Sequence, residues 1–571
     1  MKKVVKKTKV NKLKLLLLIV VVFVIGFFAF KILKIAKNKV FEKKETAYVA
    51  SISDKVVLYD NEFTESGNII RGTKVEVKGS EIKDESSNLV YKRIVYNNEE
   101  KYIKSDNIVN DEKDVVLEKE MYVRTPVTLY KDSDSSKILS SIKKGEKLNI
   151  IGYNKLNNGI VDMYKVSYND LEGYVYSKYL LDNESDALKN YDEDNTYQTH
   201  LSRTDKYYGG NAGNLDYYPY EKAKFDDNVM PSEVRSLYLN STVLGNIDSY
   251  IELAKNSNIN AFVVDIKDNT APGYASLVMK EYSPTNYAKA LNSLEDYKAA
   301  IKKIKDNGFY VIGRITTFKD SYYVTDHPED AILEKNTNKP YKHNGSYWPT
   351  AYSRNVWEFN VELAKEAVTE MGFNEIQFDY VRFPDRTTNL EKSGVMDMRN
   401  TFNEEKAQAI QGFLMYACDE IHKLNAYVSA DVFGESAHNY VTAYGQYWPA
   451  ISNVVDVISA MPYPDHFNKY EYGFKEPVWT VPYKLLNYWG SNYAAIRQKE
   501  IPTPARVRTW IQTYDTIREP YIVYDSSKIA DQIKGLYDAG LSDGYMTWNS
   551  SSNINKYKSI SSAFKGVYKN E

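Results

Sequence analysis

The chain has 571 residues, more than a single hydrophobic core normally serves, so two or more domains are expected. Lys and Arg total 74 against 76 Asp and Glu, and the formal net charge of −2 gives no global reason for a nucleic-acid partner. One cysteine, Cys418, excludes an intrachain disulfide and is expected as a small buried residue on a helix-like stretch, 403–424. The 51 tyrosines suit carbohydrate surfaces, since each joins an apolar ring to a polar tip, but strand-rich domains use them equally.

A basic tail, residues 1–14, is followed by sixteen uncharged apolar residues from Leu15 to Phe30. Such a run makes about 24 Å of helix against a hydrocarbon core of about 30 Å. Extended to Leu33, it admits Lys31 near its end, where the side chain can snorkel to the headgroups. No small-x-small cleavage pattern follows, so residues 15–33 are expected to be a single-pass membrane anchor. The short tail favours a cytoplasmic N-terminus, with the rest of the chain extracellular.

Two β-rich segments, 46–110 and 118–183, repeat one order of landmarks at a period of about seventy residues. Val57-Leu58-Tyr59, Gly72-Thr73-Lys74-Val75 and Lys101-Tyr102-Ile103 in the first correspond to Thr128-Leu129-Tyr130, Gly145-Glu146-Lys147-Leu148 and Gly173-Tyr174-Val175-Tyr176 in the second. Their alternation suits short antiparallel strands in a small barrel. The second segment resembles a bacterial SH3 domain and the first resembles it more loosely. That resemblance implies binding of cell-wall glycans or peptides; a spacer role is the alternative. Residues 184–230 are Asn-rich and irregular and read as a linker or barrel-capping segment, with Tyr217, Tyr218 and Tyr220 hinting at packing.

From residue 231 to 571, β-like runs alternate with amphipathic segments, the pattern of a parallel (β/α)₈ barrel. Strands are predicted to begin near Leu237, Ala261, Tyr310, Glu375, Ala426, Val455, Val507 and Gly544, with helices over 247–255, 297–306, 356–371, 403–424 and 527–539. Such barrels work at the C-terminal ends of their strands. Period-two parity assigns Asp265 and Lys267, Arg314, Gln377 and Asp379, and Ser429 and Asp431 to one face of strands two to five. Strands six to eight end in Tyr463, in Trp510 and Gln512, and in Trp548, while Glu435 follows strand five in a loop. A ring of buried polar residues is better explained by a polar ligand than by stability.

Glycosidic-bond cleavage needs two carboxyl groups, one acid and one nucleophile or base. Asp379 is the first choice for nucleophile or base, Asp431 for acid, and Glu435 is its rival. Arg314 and Arg382 can keep a carboxylate ionised or clamp an anionic group. Asp265, Lys267, Arg314, Arg382, Tyr463, Trp510, Gln512 and Trp548 are the expected substrate contacts. The six histidines lack ligand spacing, so neither a metal nor another cofactor is expected.

The block Phe378-Asp379-Tyr380-Val381-Arg382-Phe383-Pro384, with Val264-Asp265-Ile266-Lys267-Asp268, Ser429-Ala430-Asp431-Val432-Phe433-Gly434 and Met461-Pro462-Tyr463-Pro464, resembles the bacterial glycosyl hydrolase family called DUF4015. The resemblance implies a fold related to the α-amylase superfamily and a nucleophile position at Asp379. Gln377 stands where that superfamily carries arginine, and Gln512-Thr513-Tyr514-Asp515 lacks its His-Asp pair. The expected function is an anchored cell-surface glycoside hydrolase acting on an envelope or extracellular polysaccharide. A noncatalytic wall-glycan-binding protein is the alternative.

Overall fold

The computed structural model describes residues 20–27, 31, 44–203 and 207–568. Of the expected anchor, 15–33, only the exposed helical residues 20–27 and Lys31 fall within that set, and the rest lies outside the described residues. Among the described residues no helix is long and apolar enough to cross a membrane. The chain forms two compact units, one built on the first β-rich segment with residues 149–167 and 176–178, the other on residues 121–148, 168–175 and 179 onward.

The N-terminal region is all β. Seven strands, from Lys44–Val49 to Ile108–Val109, form a sheet in the order third, second, sixth, fifth, fourth, first, seventh. The seven strands of the second sheet, from Glu120–Val123 to Leu180–Leu181, follow the same order, so the repeated landmarks correspond to a repeated topology. Val49, Leu58, Ile69, Ile94 and Ile103 fill the core of the first sheet. Ile69, Ile94 and Ile103 each lie between more exposed neighbours, as one buried face requires.

The larger unit is a parallel barrel-like sheet. Its strands are β1 (Val234–Leu239), β2 (Ala261–Lys267), β3 (Tyr310–Thr316), β4 (Glu375–Asp379), β5 (Tyr427–Phe433), β6 (Val457–Met461), β7 (Arg506–Val507, resuming at Thr509–Gln512) and β8 (Gly544–Trp548). They neighbour one another in chain order, and β1 pairs with β8. The two segments of β7, separated by Arg508, pair with β6 and β8 respectively, which carries the sheet round to near closure.

Helices α1 (Ile247–Lys255), α2 (Leu294–Asp306), α3 (Arg354–Met371), α4 (Lys406–Ile421), α5 (Trp448–Val454), α6 (Pro482–Trp489), α7 (Ser526–Asp538) and α8 (Ile554–Phe564) follow the strands in turn. Side-chain caps from Ser293, Ser353 and Asp525 start α2, α3 and α7, each satisfying a backbone N–H that has no helical partner. Cys418 on α4 is buried as expected.

Inward residues Val263, Ile312, Tyr427, Val457, Trp510 and Met546 fill the barrel. At the N-terminal end of the strands, Arg508 donates to both oxygens of the fully buried Glu375 at 2.8 and 3.0 Å, and Tyr310 Oη donates to it at 3.0 Å. Residues 223–230 close this end. Phe225 and Met230 pack on the barrel core, and Asn228 Nδ2 donates to the carbonyls of Asn374 and Asn425 at 2.8 and 2.7 Å.

Candidate active site

At the opposite end, a cavity of about 450 Å³ opens among the C-terminal ends of the strands. Tyr238, Asp265, Asp268, Arg314, Asp379 and Arg382 line it, with Tyr463, Trp510 and Trp548 supplying aromatic walls. Strand register explains the convergence. Asp265 on β2 lies opposite Arg314 on β3, and Arg314 lies opposite Gln377 on β4, so inward parity is shared across three strands.

Arg314 is the hub. Its Nη1 donates to Asp265 Oδ1 at 2.7 Å and Asp268 Oδ1 at 3.2 Å, while Nη2 and Nε donate to Asp379 Oδ2 at 2.5 and 3.0 Å. Burial opposes the charge of Arg314, but Asp379 and Asp265 outweigh it and hold the guanidinium protonated. Asp379 Oδ1 accepts from the backbone N–H of Tyr380 at 2.6 Å, leaving one oxygen on the cation and one on the backbone. Tyr380 sits at φ 50°, a left-handed conformation costly for so bulky a residue, of the kind that persists where surrounding structure fixes a working geometry.

The carboxyl groups are driven apart in proton affinity. Burial raises Asp265 to about 6 despite Arg314, while Tyr238 Oη donates to its Oδ2 at 2.5 Å. Asp268 is also desolvated, but Arg314 and Thr270 more than compensate and lower it. Burial pushes Asp431 well above the usual carboxylate range, and the neighbouring charge of Asp379 adds to the effect. Its Oδ1 accepts from Trp510 Nε1 at 2.7 Å, and its buried Oδ2 has no hydrogen-bond partner among the described residues.

Residues 236–554 match the family model DUF4015, described as "Putative glycosyl hydrolase domain". The chain belongs to this family. A hypothetical protein from Ruminiclostridium thermocellum ATCC 27405 is similar at 33% identity over 34% of this chain and 97% of that one, with a TM-score of 0.29. The PgaB (BpsB) glycoside hydrolase domain from Bordetella bronchiseptica is similar at 13% identity over 59% of this chain and 99% of that one, with a TM-score of 0.43. A glycoside hydrolase family 20 β-N-acetylglucosaminidase is similar at 10% identity over 60% of this chain and 71% of that one, with a TM-score of 0.38. No curated protein matches.

Within the DUF4015 domain, Asp265, Arg314, Asp379, Arg382, Tyr463, Trp510 and Trp548 meet around the cavity as expected, and four other expected residues do not line it. Strand parity fails at Lys267 because a register shift between Asp265 and Lys267 places Lys267 opposite the outward Ile315. Its Nζ instead pairs with Asp320 at 2.7 Å, 4.9 Å from the Phe359 ring. Gln512 ties loops together, accepting from the Asp465 N–H at 3.0 Å and donating to the Tyr514 carbonyl at 3.2 Å. Asp431, 1% exposed, lies beneath Trp510 and does not reach the cavity surface. Glu435 is exposed in a neighbouring groove, accepting from Tyr444 Oη at 2.9 Å and Tyr440 Oη at 3.1 Å.

Two cavity residues outside the expected set carry much of the electrostatics. Asp268 takes the place that parity assigns to Lys267, and the sequence has no marker for the bulge that puts it there. Tyr238 was open to discovery, since Ser236 and Tyr238 share the inward parity of β1. Arg382 lies 4.5 Å from the Phe433 ring and 5.0 Å from that of Tyr380, a caged cation at the cavity edge.

Proposed function

We propose that the barrel is a glycoside hydrolase acting on a polysaccharide, with Asp379 as the nucleophile or base. The observation that carries this is the cradle of Asp379: Arg314 and the Tyr380 N–H hold a carboxylate at the floor of a cavity walled by Tyr463, Trp510 and Trp548. Aromatic faces suit the apolar faces of sugar rings, and a fixed carboxylate suits an oxocarbenium-like transition state.

Asp431 is the acid in this reading. It sits one strand over from Asp379, since Phe378 pairs with Ala430, and burial favours its protonated form. To protonate the glycosidic oxygen while Asp379 attacks the anomeric carbon or takes a proton from water, Asp431 has to reach the cavity past Trp510. The burial of Asp431 beneath Trp510 favours a second reading, a glycan-binding barrel without turnover.

An Asp379→Asn variant separates the two on a panel of envelope glycans. Release of reducing ends should fall at least ~10³-fold, about 4 kcal/mol of transition-state stabilisation, while binding persists. Unchanged release would remove Asp379 from the mechanism, and wild-type binding without release would favour the binding protein.

The apolar run 15–33 supports an anchored protein whose barrel lies outside the membrane. The duplicated β-modules and their SH3-like landmarks support attachment to cell-wall glycan or peptide. Together they make an envelope or extracellular polysaccharide the preferred substrate.

A further inference from the structure

Beside the catalytic cavity lies a larger groove of about 890 Å³, and Phe433, Met461 and His466 line both. The wall of this groove is aromatic. Tyr207 lies 5.2 Å from Tyr440, His438 lies 5.6 Å from Tyr440, and His438 lies 6.2 Å from Tyr472 in a stacked arrangement, so a row of neighbouring rings lines the groove. Tyr472 takes a left-handed backbone conformation at φ 57°.

The charges in the groove are unbalanced. Asp385, Glu435, Asp465 and Glu471 line it against Arg386 and Arg518, and Asp385 is paired with Arg382 at 3.3 Å and Arg386 at 3.7 Å, which leaves a small acidic excess. Arg518 is committed elsewhere, donating to the carbonyls of Asp465 and Phe467 at 2.9 and 2.6 Å while lying 4.3 Å from the Trp479 ring. Asp465 is 5% exposed; its Oδ2 accepts from the Ile517 N–H at 2.9 Å, but its buried Oδ1 has no partner among the described residues. A buried acceptor without a donor is costly.

We infer that this groove holds successive residues of an extended, non-anionic polysaccharide, neutral or amine-bearing, and so directs the barrel to internal linkages rather than chain ends. The inference rests on the glycoside hydrolase reading of the adjoining cavity and adds to it the substrate's length and charge. The shared wall residues set the two spaces side by side, the rings supply apolar surface for sugars, and the acidic excess disfavours uronate or phosphate chains. Glu435 becomes a wall of this groove, oriented by its two tyrosine hydroxyls.

The test uses the full chain carrying Asp379→Asn, titrated calorimetrically with dimers and hexamers of chitin, chitosan, cellulose and xylan, and with hexagalacturonate. At least one neutral or amine-bearing hexamer should bind tenfold or more tightly than its dimer. Tyr472→Ala should remove that gain while leaving dimer affinity within twofold, and Tyr472→Phe should keep it. Equal affinity for dimer and hexamer, no hexamer binding, preference for hexagalacturonate, or insensitivity to Tyr472→Ala would each overturn the inference. Separately, reducing-end release that survives Asp379→Asn would overturn the catalytic reading while leaving length-dependent binding intact. In the enzyme with Asp379, wild-type digests should begin with mid-sized oligomers, and digests yielding only monomers from the outset would oppose internal cleavage.

Discussion

Replacing Arg314 with methionine leaves Asp265, Asp268 and Asp379 without their shared cation, while their side chains remain 3%, 20% and 8% exposed. One charge pair about 4 Å apart gains roughly 4 kcal/mol at an effective dielectric constant of 20. The gross attraction from three partners is offset by the desolvation of guanidinium and carboxylates, and breaking such a buried set typically costs about 3–5 kcal/mol net. All seven tryptophans, from Trp348 to Trp548, lie in the barrel, so their fluorescence during urea unfolding reports that unit alone. The expected loss at pH 7.5 is about 3–5 kcal/mol, shrinking by pH 5 as the orphaned carboxyl groups take up protons. Arg314→Lys should recover only part, because an ammonium cannot span three carboxylates with a planar fork. A loss below about 1 kcal/mol, or one independent of pH, would refute the hub.

Asp265 makes a second, opposite pH signature. Its folded-state pKa of about 6 lies above the ordinary 3.8, so its stabilising contribution is complete below pH 3.8 and disappears as pH rises through 6. The step is about 3 kcal/mol. The stability of the wild type relative to Asp265→Asn should therefore decline by about that much across this window in the same fluorescence assay, and a flat difference would contradict the raised pKa. At the far end of the barrel, Glu375→Gln breaks the paired interaction with Arg508 and should cost about 3–5 kcal/mol, and because the Glu375 charge helps raise Asp431 it should also move the basic limb of glycan turnover to lower pH. An unmoved basic limb would contradict Asp431 as the acid.

Much of the barrel is legible because its strands are short apolar runs bounded by polar ends. Runs such as 261–267 and 310–316 carry β-branched residues that match the observed bounds closely. Helices with a polar face, α1 and α3 among them, show a clear 3.6-residue period. Helix α5 does not, since all of its residues from Trp448 to Val454 are buried and no polar face marks its period. The break in β7 is likewise invisible, because only the partners on either side reveal where pairing passes from β6 to β8.

At the candidate site, parity suffices for Asp265, Arg314 and Asp379, which sit on regular stretches. It cannot reach Glu435, where the strand has given way to a turn beginning at Gly434. Nor can parity measure depth: Asp431 and Asp379 are both inward, yet Trp510 closes over one and leaves the other lining the cavity.

The irregularity in β2 acts as a sign selector for the mouth. As folded, β2 and the residue that follows it present Asp265 and Asp268 to Arg314, two negative charges from one strand end. Gly313 on β3 leaves room for the displaced chain, since a β-carbon there would stand 2.4 Å from Ile266 Cδ1. Regular pleating would bring Lys267 inward and turn Asp268 out, changing the local sum from −2 to zero and setting an ammonium against Arg314. The length of one strand segment, as much as the identity of its residues, thus decides what charge the mouth offers an approaching sugar.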